Sequence, residues 1–316
     1  MKKVIEFIEK HEKFAVLTHV NPDGDALGSA YALSQSINNL GKFAKVILLC
    51  NPPKKYQFDE FEGMYALYDN ISADDYDAVI AVDAATVGRL SDAQKLFLTL
   101  PNCNIDHHVS NTRYAQVNYV ADFPATGEIV YSLAEKLGLK PDMTVRMAVY
   151  IAIATDTGNF TFSNTKRSTL KLFSALVEGE LPLADIADQI FNRRTLGATK
   201  LIAKFIENIR LHENGQIALS TIMLDELTAS GANVSDSDIL IDYAREIDGV
   251  EIAIFVREMS RDTYKASFRA NSYADVGNLA ARFDGGGHVK AAGCMIKGNI
   301  YDVMEILLKA AKDYLK

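Results

Sequence analysis

The sequence predicts an α/β protein: a parallel-sheet N-terminal domain followed by a smaller α+β C-terminal domain. Three observations carry this. The chain has 316 residues, about twice the usual size of one domain, so each part can bury its own core. In the first part, short apolar runs bounded by turn residues alternate with longer helical patterns, the rhythm of a helix-covered parallel sheet. Beyond the polar, glycine-containing stretch "NRRTLGATK", strand patterns follow one another more closely and helices group around them.

The elements follow in order. "MKKVIEFIEKHEKF" reads as a charged amphipathic helix, without the long apolar core and small-residue cleavage site of a signal peptide. Apolar runs at residues 14–20, 44–50, 78–82 and 104–106 read as buried strands, and residues 26–40, 127–137 and 143–154 carry helical spacing. Residues 168–207 are helical in pattern. Strands are expected at 209–211, 217–223, 252–257 and 263–269, and helices at 235–247, 275–283 and 301–315. The expected domains are residues 1–190 and 208–316, joined by a linker at 191–207. There is no internal repeat and no low-complexity segment.

Charge and composition exclude several classes. With 33 Lys+Arg against 41 Asp+Glu, the formal charge of −8 argues against a broad basic surface for long duplex nucleic acid. Cys50, Cys103 and Cys294 are widely spaced and odd in number, which suits a reducing compartment and makes neither a disulfide framework nor a zinc set. No apolar run reaches membrane-spanning length. The expected location is cytoplasmic.

Polar residues collect at strand ends, where ligands of open parallel sheets bind. "THVNPDGDALGSA" ends the first strand with His19, Asp23 and Asp25; "AVIAVDAA" ends another with Asp83; "CNIDHHVSN" supplies Asp106, His107 and His108; "YIAIATDTGNF" closes a helix with Asp156. Taken singly, these residues have ordinary roles: Asp25 or Asn21 as a helix cap, Asp83 as a turn residue. Together, four segments deliver carboxylates and imidazoles to places that could share one rim. His11 and His212 lack such context and are expected at the surface. Oxygen-rich ligands with a minority of imidazole favour magnesium or manganese over zinc. Five gathered carboxylates would repel one another unless cations neutralised them, which makes two divalent ions a natural solution.

In order and spacing, "HVNPDGDALGS", "VDAA", "DHHVSN" and "ATDTGNF" resemble the four motifs of the DHH phosphoesterase superfamily. "FRANSYADVGNLAARFDGGGHVKAAGC" resembles the end of the DHH-associated C-terminal domain of its exonuclease and phosphodiesterase branch. The resemblance covers nearly the whole chain. A lone DHH would be weak evidence, but five ordered motifs ending in Gly-Gly-Gly-His are specific. In length and domain content the chain most resembles the bacterial nano-RNase and pAp phosphatase group, which includes stand-alone phosphodiesterases acting on pApA and cyclic di-AMP.

This resemblance implies a metal-dependent phosphoesterase that cleaves short oligoribonucleotides, pApA or the 3′-phosphate of pAp. Its active site would lie in the cleft between the domains. It implies one ion on His19, Asp23 and Asp83 and a second on Asp25, Asp83, His107 and Asp156, manganese preferred, magnesium or cobalt accepted. Asp106 would orient a histidine ring and His108 would face the scissile phosphate. Arg269, Gly285, Gly286, Gly287 and His288 would bind substrate, since glycines let a phosphate approach backbone N–H groups and guanidinium binds phosphate bidentately. Arg89, Asn111 and Arg113 either touch phosphate or cap loops, and both readings stay open. The expected partners are short RNA and nucleotides, neither long duplex nor membrane, with a homodimer left open. Alternatives are a cyclic di-AMP phosphodiesterase, a pyrophosphatase or polyphosphatase, and a single-strand exonuclease.

Overall fold

Phe14, Ala15, Val16 and Leu17 have no solvent exposure, as a strand covered on both faces requires. They form β1 (Lys13–Leu17), followed in the same sheet by β2 (Phe43–Leu48), β3 (Tyr65–Leu67), β4 (Ala78–Val82), β5 (Asn102–Asp106) and β6 (Val117–Val120). The computed structural model describes all 316 residues, and the chain divides into two units, Met1–Arg193 and Arg194–Lys316.

In the first unit the strand order is β3-β2-β1-β4-β5-β6, with every neighbouring pair parallel. The order reverses between β1 and β4, so the loops leaving these two strands part in opposite directions and open a crevice there. The edge strands β3 and β6 were not expected; both are short and only half-buried, which leaves little apolar signal.

Three helices of this unit pack against one another and against the sheet: Gly24–Asn39, Thr126–Lys136 and Met143–Asp156. Their close approach depends on missing side chains. A Cβ at Gly28 would strike the Ala148 carbonyl oxygen, and one at Gly127 would strike the Ala152 methyl. A methyl at either place is overpacking, which costs about 1–3 kcal/mol. The helix Lys2–Lys10 ends at His11, which is 9% exposed. Its Nδ1 donates to the Phe7 carbonyl at 2.9 Å and its ring lies 4.6 Å from that of Phe7. The surface position expected for His11 is therefore corrected: its ring is packed among aromatics and its polar nitrogen is used by the helix end.

The second unit holds β7 (Arg210–His212), β8 (Ile217–Ile222), β9 (Ile252–Ser260), β10 (Thr263–Ala270), β11 (Gly286–His288) and β12 (Ala291–Lys297). Their order is β11-β12-β10-β9-β8-β7; β8 and β9 are parallel and the other pairs antiparallel. Tyr264, Ala266, Phe268 and Ala270 face a core shared with Val303, Leu307 and Ala311 of the helix Ile300–Lys312. Lys265, Ser267 and Arg269 take the other face by strand alternation.

One expectation is corrected here. Residues 196–207, helical in pattern but assigned to a linker, form the helix Leu196–Glu207, capped by Thr195, and belong to the second unit. Its Leu201 and Phe205 are fully buried in the second unit's core, so apolar spacing outweighs the polar stretch at its start. His212 stands partly exposed at the end of the edge strand β7. Glu251 meanwhile holds the loop before the helix Val276–Ala281: its buried carboxylate accepts N–H groups from Ser272, Tyr273 and Ala274 and the Ser272 hydroxyl. No helix is long and apolar enough to cross a membrane.

Candidate active site

Asp23 starts the helix Gly24–Asn39 as its N-cap, its Oδ1 accepting the Ala26 N–H at 3.1 Å. That role belongs to Asp23, rather than to Asn21 or Asp25. Two residues on, in the first turn, Asp25 is fully buried. Its Oδ2 accepts the Thr126 N–H at 2.7 Å, and its Oδ1 accepts the Gly127 N–H at 3.0 Å and the Ser29 hydroxyl at 2.9 Å. The first amides of the helix Thr126–Lys136 thus close on a carboxylate, an arrangement that the helix dipole favours.

Asp83 follows β4 directly, in the left-handed backbone region, φ 55°, with its N–H on the Ile105 carbonyl at 3.0 Å. This strained turn carries its carboxylate between two sets of ligands. Oδ2 lies 3.8 Å from His19 Nε2, and Oδ1 lies 3.4 Å from His107 Nε2. His19 Nε2 also stands 3.8 Å from Asp23 Oδ1, and His107 Nε2 stands 3.4 Å from Asp156 Oδ2 and 3.8 Å from Asp25 Oδ2. Three overlapping clusters result: His19, Asp23 and Asp83; Asp25, His107 and Asp156; and Asp83, Asp106, His107 and His108, with ligand atoms inside each within 4.8 Å of one another.

The histidines differ in their outer partners. His19 Nδ1 lies 2.9 Å from the Val20 carbonyl and His107 Nδ1 lies 3.0 Å from the Phe123 carbonyl. A carbonyl only accepts, so each Nδ1 carries a proton and each Nε2 is the nitrogen turned to the cluster. His108 instead pairs Nδ1 with Asp106 Oδ1 at 2.7 Å. Asp106 also accepts the backbone N–H groups of His107 and His108 and the Asn111 side-chain amide.

Electrostatics follow from burial and crowding. Burial, reinforced by neighbouring carboxylates, pushes Asp25 to about 7, Asp83 to about 8 and Asp156 to about 7. Burial opposes charge on His107, yet Asp25, Asp83 and Asp156 prevail and raise it to about 9. Burial also opposes charge on Asp106, but hydrogen bonds from His108 and Asn111 hold its carboxyl below the usual range. The Asp106 hydrogen bond in turn raises His108. Protons are standing in for positive charge that a cation would supply. The donors are hard oxygen and imidazole nitrogen without a thiolate, which fits divalent metal ions.

Sequence reasoning missed Ser29, Thr126 and Tyr56. Thr126 donates its hydroxyl to Asp83 Oδ1 at 3.0 Å. Buried Tyr56 turns its oxygen toward the Gly24 N–H, beside Asp23 and Asp156. Ser29 had a usable signal, one helical turn after Asp25; Thr126 and Tyr56 had none. Asn111, left open before, is engaged by Asp106, Asn104 and the Ala84 carbonyl. Arg89 and Arg113 are exposed.

The second unit gathers its residues on one sheet face. Ala291 of β12 pairs with Arg269 of β10 on one side and with His288 of β11 on the other, and directly paired residues project to the same side. The glycine triplet has more than one job. A Cβ at Gly285 would meet the Gly293 carbonyl oxygen, and one at Gly287, φ 147°, would lie 2.5 Å from the Ala291 carbonyl oxygen. Strand packing therefore demands both. Only Gly286 has nothing within 4 Å of its missing Cβ.

Comparison with known proteins follows the two units. Residues 13–155 match the DHH family, N-terminal domain, and residues 214–316 match the DHHA1 domain. The chain is 29% identical to the bifunctional oligoribonuclease and PAP phosphatase NrnA of Thermus thermophilus over 100% of this chain and 94% of that protein. It is 26% identical to the protein of the same name from Bacillus subtilis, over 93% of this chain and 92% of the other. Its fold is that of an exopolyphosphatase-related protein from Bacteroides fragilis, with a TM-score of 0.93 at 22% identity, covering 99% of this chain and 95% of that one.

Proposed function

The chain belongs to the DHH superfamily, and from that premise we infer that it is a phosphoesterase using two divalent cations, manganese best. It hydrolyses short oligoribonucleotides and pApA to mononucleotides, working from a chain end, and removes the 3′-phosphate of pAp. The single observation that carries the chemistry is the Asp83 carboxylate, with one oxygen toward His19 and the other toward His107. The names of the full-length relatives support the substrate class.

In this reading His19, Asp23 and Asp83 hold one ion, and Asp25, Asp83, His107 and Asp156 hold the other. Such a pair supplies an attacking water at neutral pH and neutralises charge developing at phosphorus. His108, kept protonated by Asp106, faces the scissile phosphate and gives a proton to the leaving oxygen. In the second unit Arg269 and His288 grip a phosphate, and the open backbone at Gly286 lets it approach. A cytoplasmic location belongs to the same reading, and the unpaired thiols of Cys50, Cys103 and Cys294 accord with it.

A panel assay with manganese tests the function, comparing pAp, pApA, cyclic di-AMP, RNA of roughly two to ten nucleotides and pyrophosphate. Turnover of pApA, short RNA and pAp, falling as RNA lengthens, is expected. Preference for pyrophosphate would replace this reading with a pyrophosphatase, and undiminished cleavage of long RNA would replace it with a processive exonuclease.

A further inference from the structure

Asp83 has a geometric problem that its own strand does not solve. Its backbone is fixed by β4 and by the Ile105 carbonyl, but the final torsion of an aspartate side chain is broad and weakly held. A rotated carboxylate would turn its two oxygens away from the two clusters. The donor that meets it is Thr126 Oγ1, at 3.0 Å from Asp83 Oδ1. Thr126 has no solvent exposure, so this hydroxyl has no water to turn to.

Thr126 is itself held from three sides. Its N–H donates to Asp25 Oδ2 at 2.7 Å. The next residue, Gly127, fits against Ala152 only because it lacks a Cβ. Half a turn on, Glu128 accepts the Thr169 hydroxyl at 2.7 Å, tying the helix Thr126–Lys136 to the helix Arg167–Leu176. One residue therefore touches a carboxylate of each ligand set, Asp25 through its backbone and Asp83 through its hydroxyl.

We propose that Thr126 is a positioning residue whose hydroxyl sets the rotation of the Asp83 carboxylate, so that its two oxygens serve two separate ions. This rests on the metal reading above, but not on any substrate. A hydroxyl has one proton to give, and Thr126 spends it on the oxygen facing His107, which leaves Oδ2 directed at His19. Outer partners of this kind commonly tune metal affinity by about 10- to 100-fold.

The test is calorimetric titration of the metal-stripped chain with manganese chloride for the parent, Thr126→Val and Thr126→Ser. Low-temperature electron paramagnetic resonance reports whether a spin-coupled manganese pair forms. Valine keeps the branched shape and the backbone N–H on Asp25 but removes the hydroxyl; serine restores it. The expected result is about 10- to 100-fold weaker binding of at least one ion and loss of the coupled signal in Thr126→Val, with Thr126→Ser like the parent. Two ions bound by Thr126→Val with parental affinity and coupling would overturn the proposal, whatever its effect on Tm. If circular dichroism shows the valine variant misfolded, Thr126→Ala against Thr126→Ser isolates the same hydroxyl, and equal binding by those two overturns it. A parent that binds two ions yet cleaves neither pAp nor pApA would refute the substrate reading alone, while the variants still decide this one. A parent that binds no manganese refutes both.

Discussion

His108 Nδ1 lies 2.7 Å from Asp106 Oδ1, and that carboxylate is fully buried. The hydrogen bond raises His108 above its ordinary 6.5. A proton donor with a raised pKa works at low pH and fails as pH climbs through that value. Asp106→Asn removes the charge, so the alkaline limb of the turnover profile should move to lower pH and the maximum should fall about 10- to 100-fold. A limb that stayed in place would mean that His108 does not set it.

Asp83→Ala and His108→Ala should separate metal binding from proton transfer. Asp83 faces both His19 and His107, so its loss should abolish paired ions and almost all turnover. His108 turns Nδ1 to Asp106 instead, so its loss should spare both ions while lowering turnover by about 10²- to 10⁴-fold. Metal analysis beside kinetics checks this; His108→Ala losing both ions would reverse the assignment.

Metal-free stability should fall as pH rises. Asp25, Asp83 and Asp156 titrate near 7, 8 and 7 in the folded chain, against an ordinary 3.8. Between those values the folded chain holds protons that the unfolded chain has released, so each step up in pH favours unfolding. His107, raised to about 9, acts in the same direction: its stabilising charge is complete below 6.5 and is lost as pH passes 9. Because ions compete with these protons, manganese should raise Tm more at about pH 8.5 than at about pH 6. Differential scanning calorimetry at both values decides, and equal gains would argue against ion binding at these carboxylates.

Arg269 and His288 lie on one sheet face through their shared partner Ala291. If they grip a phosphate other than the scissile one, Arg269→Ala and His288→Ala should raise KM for pApA and lower its turnover through poorer positioning. An artificial nitrophenyl phosphodiester never uses that grip, and its hydrolysis should stay within a few-fold of the parent. Equal losses on both substrates would place these residues in the chemistry itself.

The polar residues to examine could be read from the sequence because local rules expose them. Fully apolar runs such as Phe14 to Leu17 mark a strand buried on both faces, and a polar residue just past such a run stands at the crevice of a parallel sheet. The edge strands β3, β6 and β11, and β12 beside the last of them, were not legible. "AAGCMIK" has little β-branched or aromatic signal, and its strand exists because β10 and β11 supply partners on either side.

Local sequence could not say how the chosen residues would differ from one another. His107 and His108 are adjacent, yet one ring nitrogen meets the Phe123 carbonyl and the other meets Asp106, so they present different faces and different proton affinities. Thr126 reaches Asp83 across 43 residues and Asp25 across 101, distances over which no periodicity or spacing carries information. A side chain's type is written in the sequence, but its hydrogen-bond partner, its burial and therefore its charge are properties of the packed neighbourhood, and only the converging helices supply that.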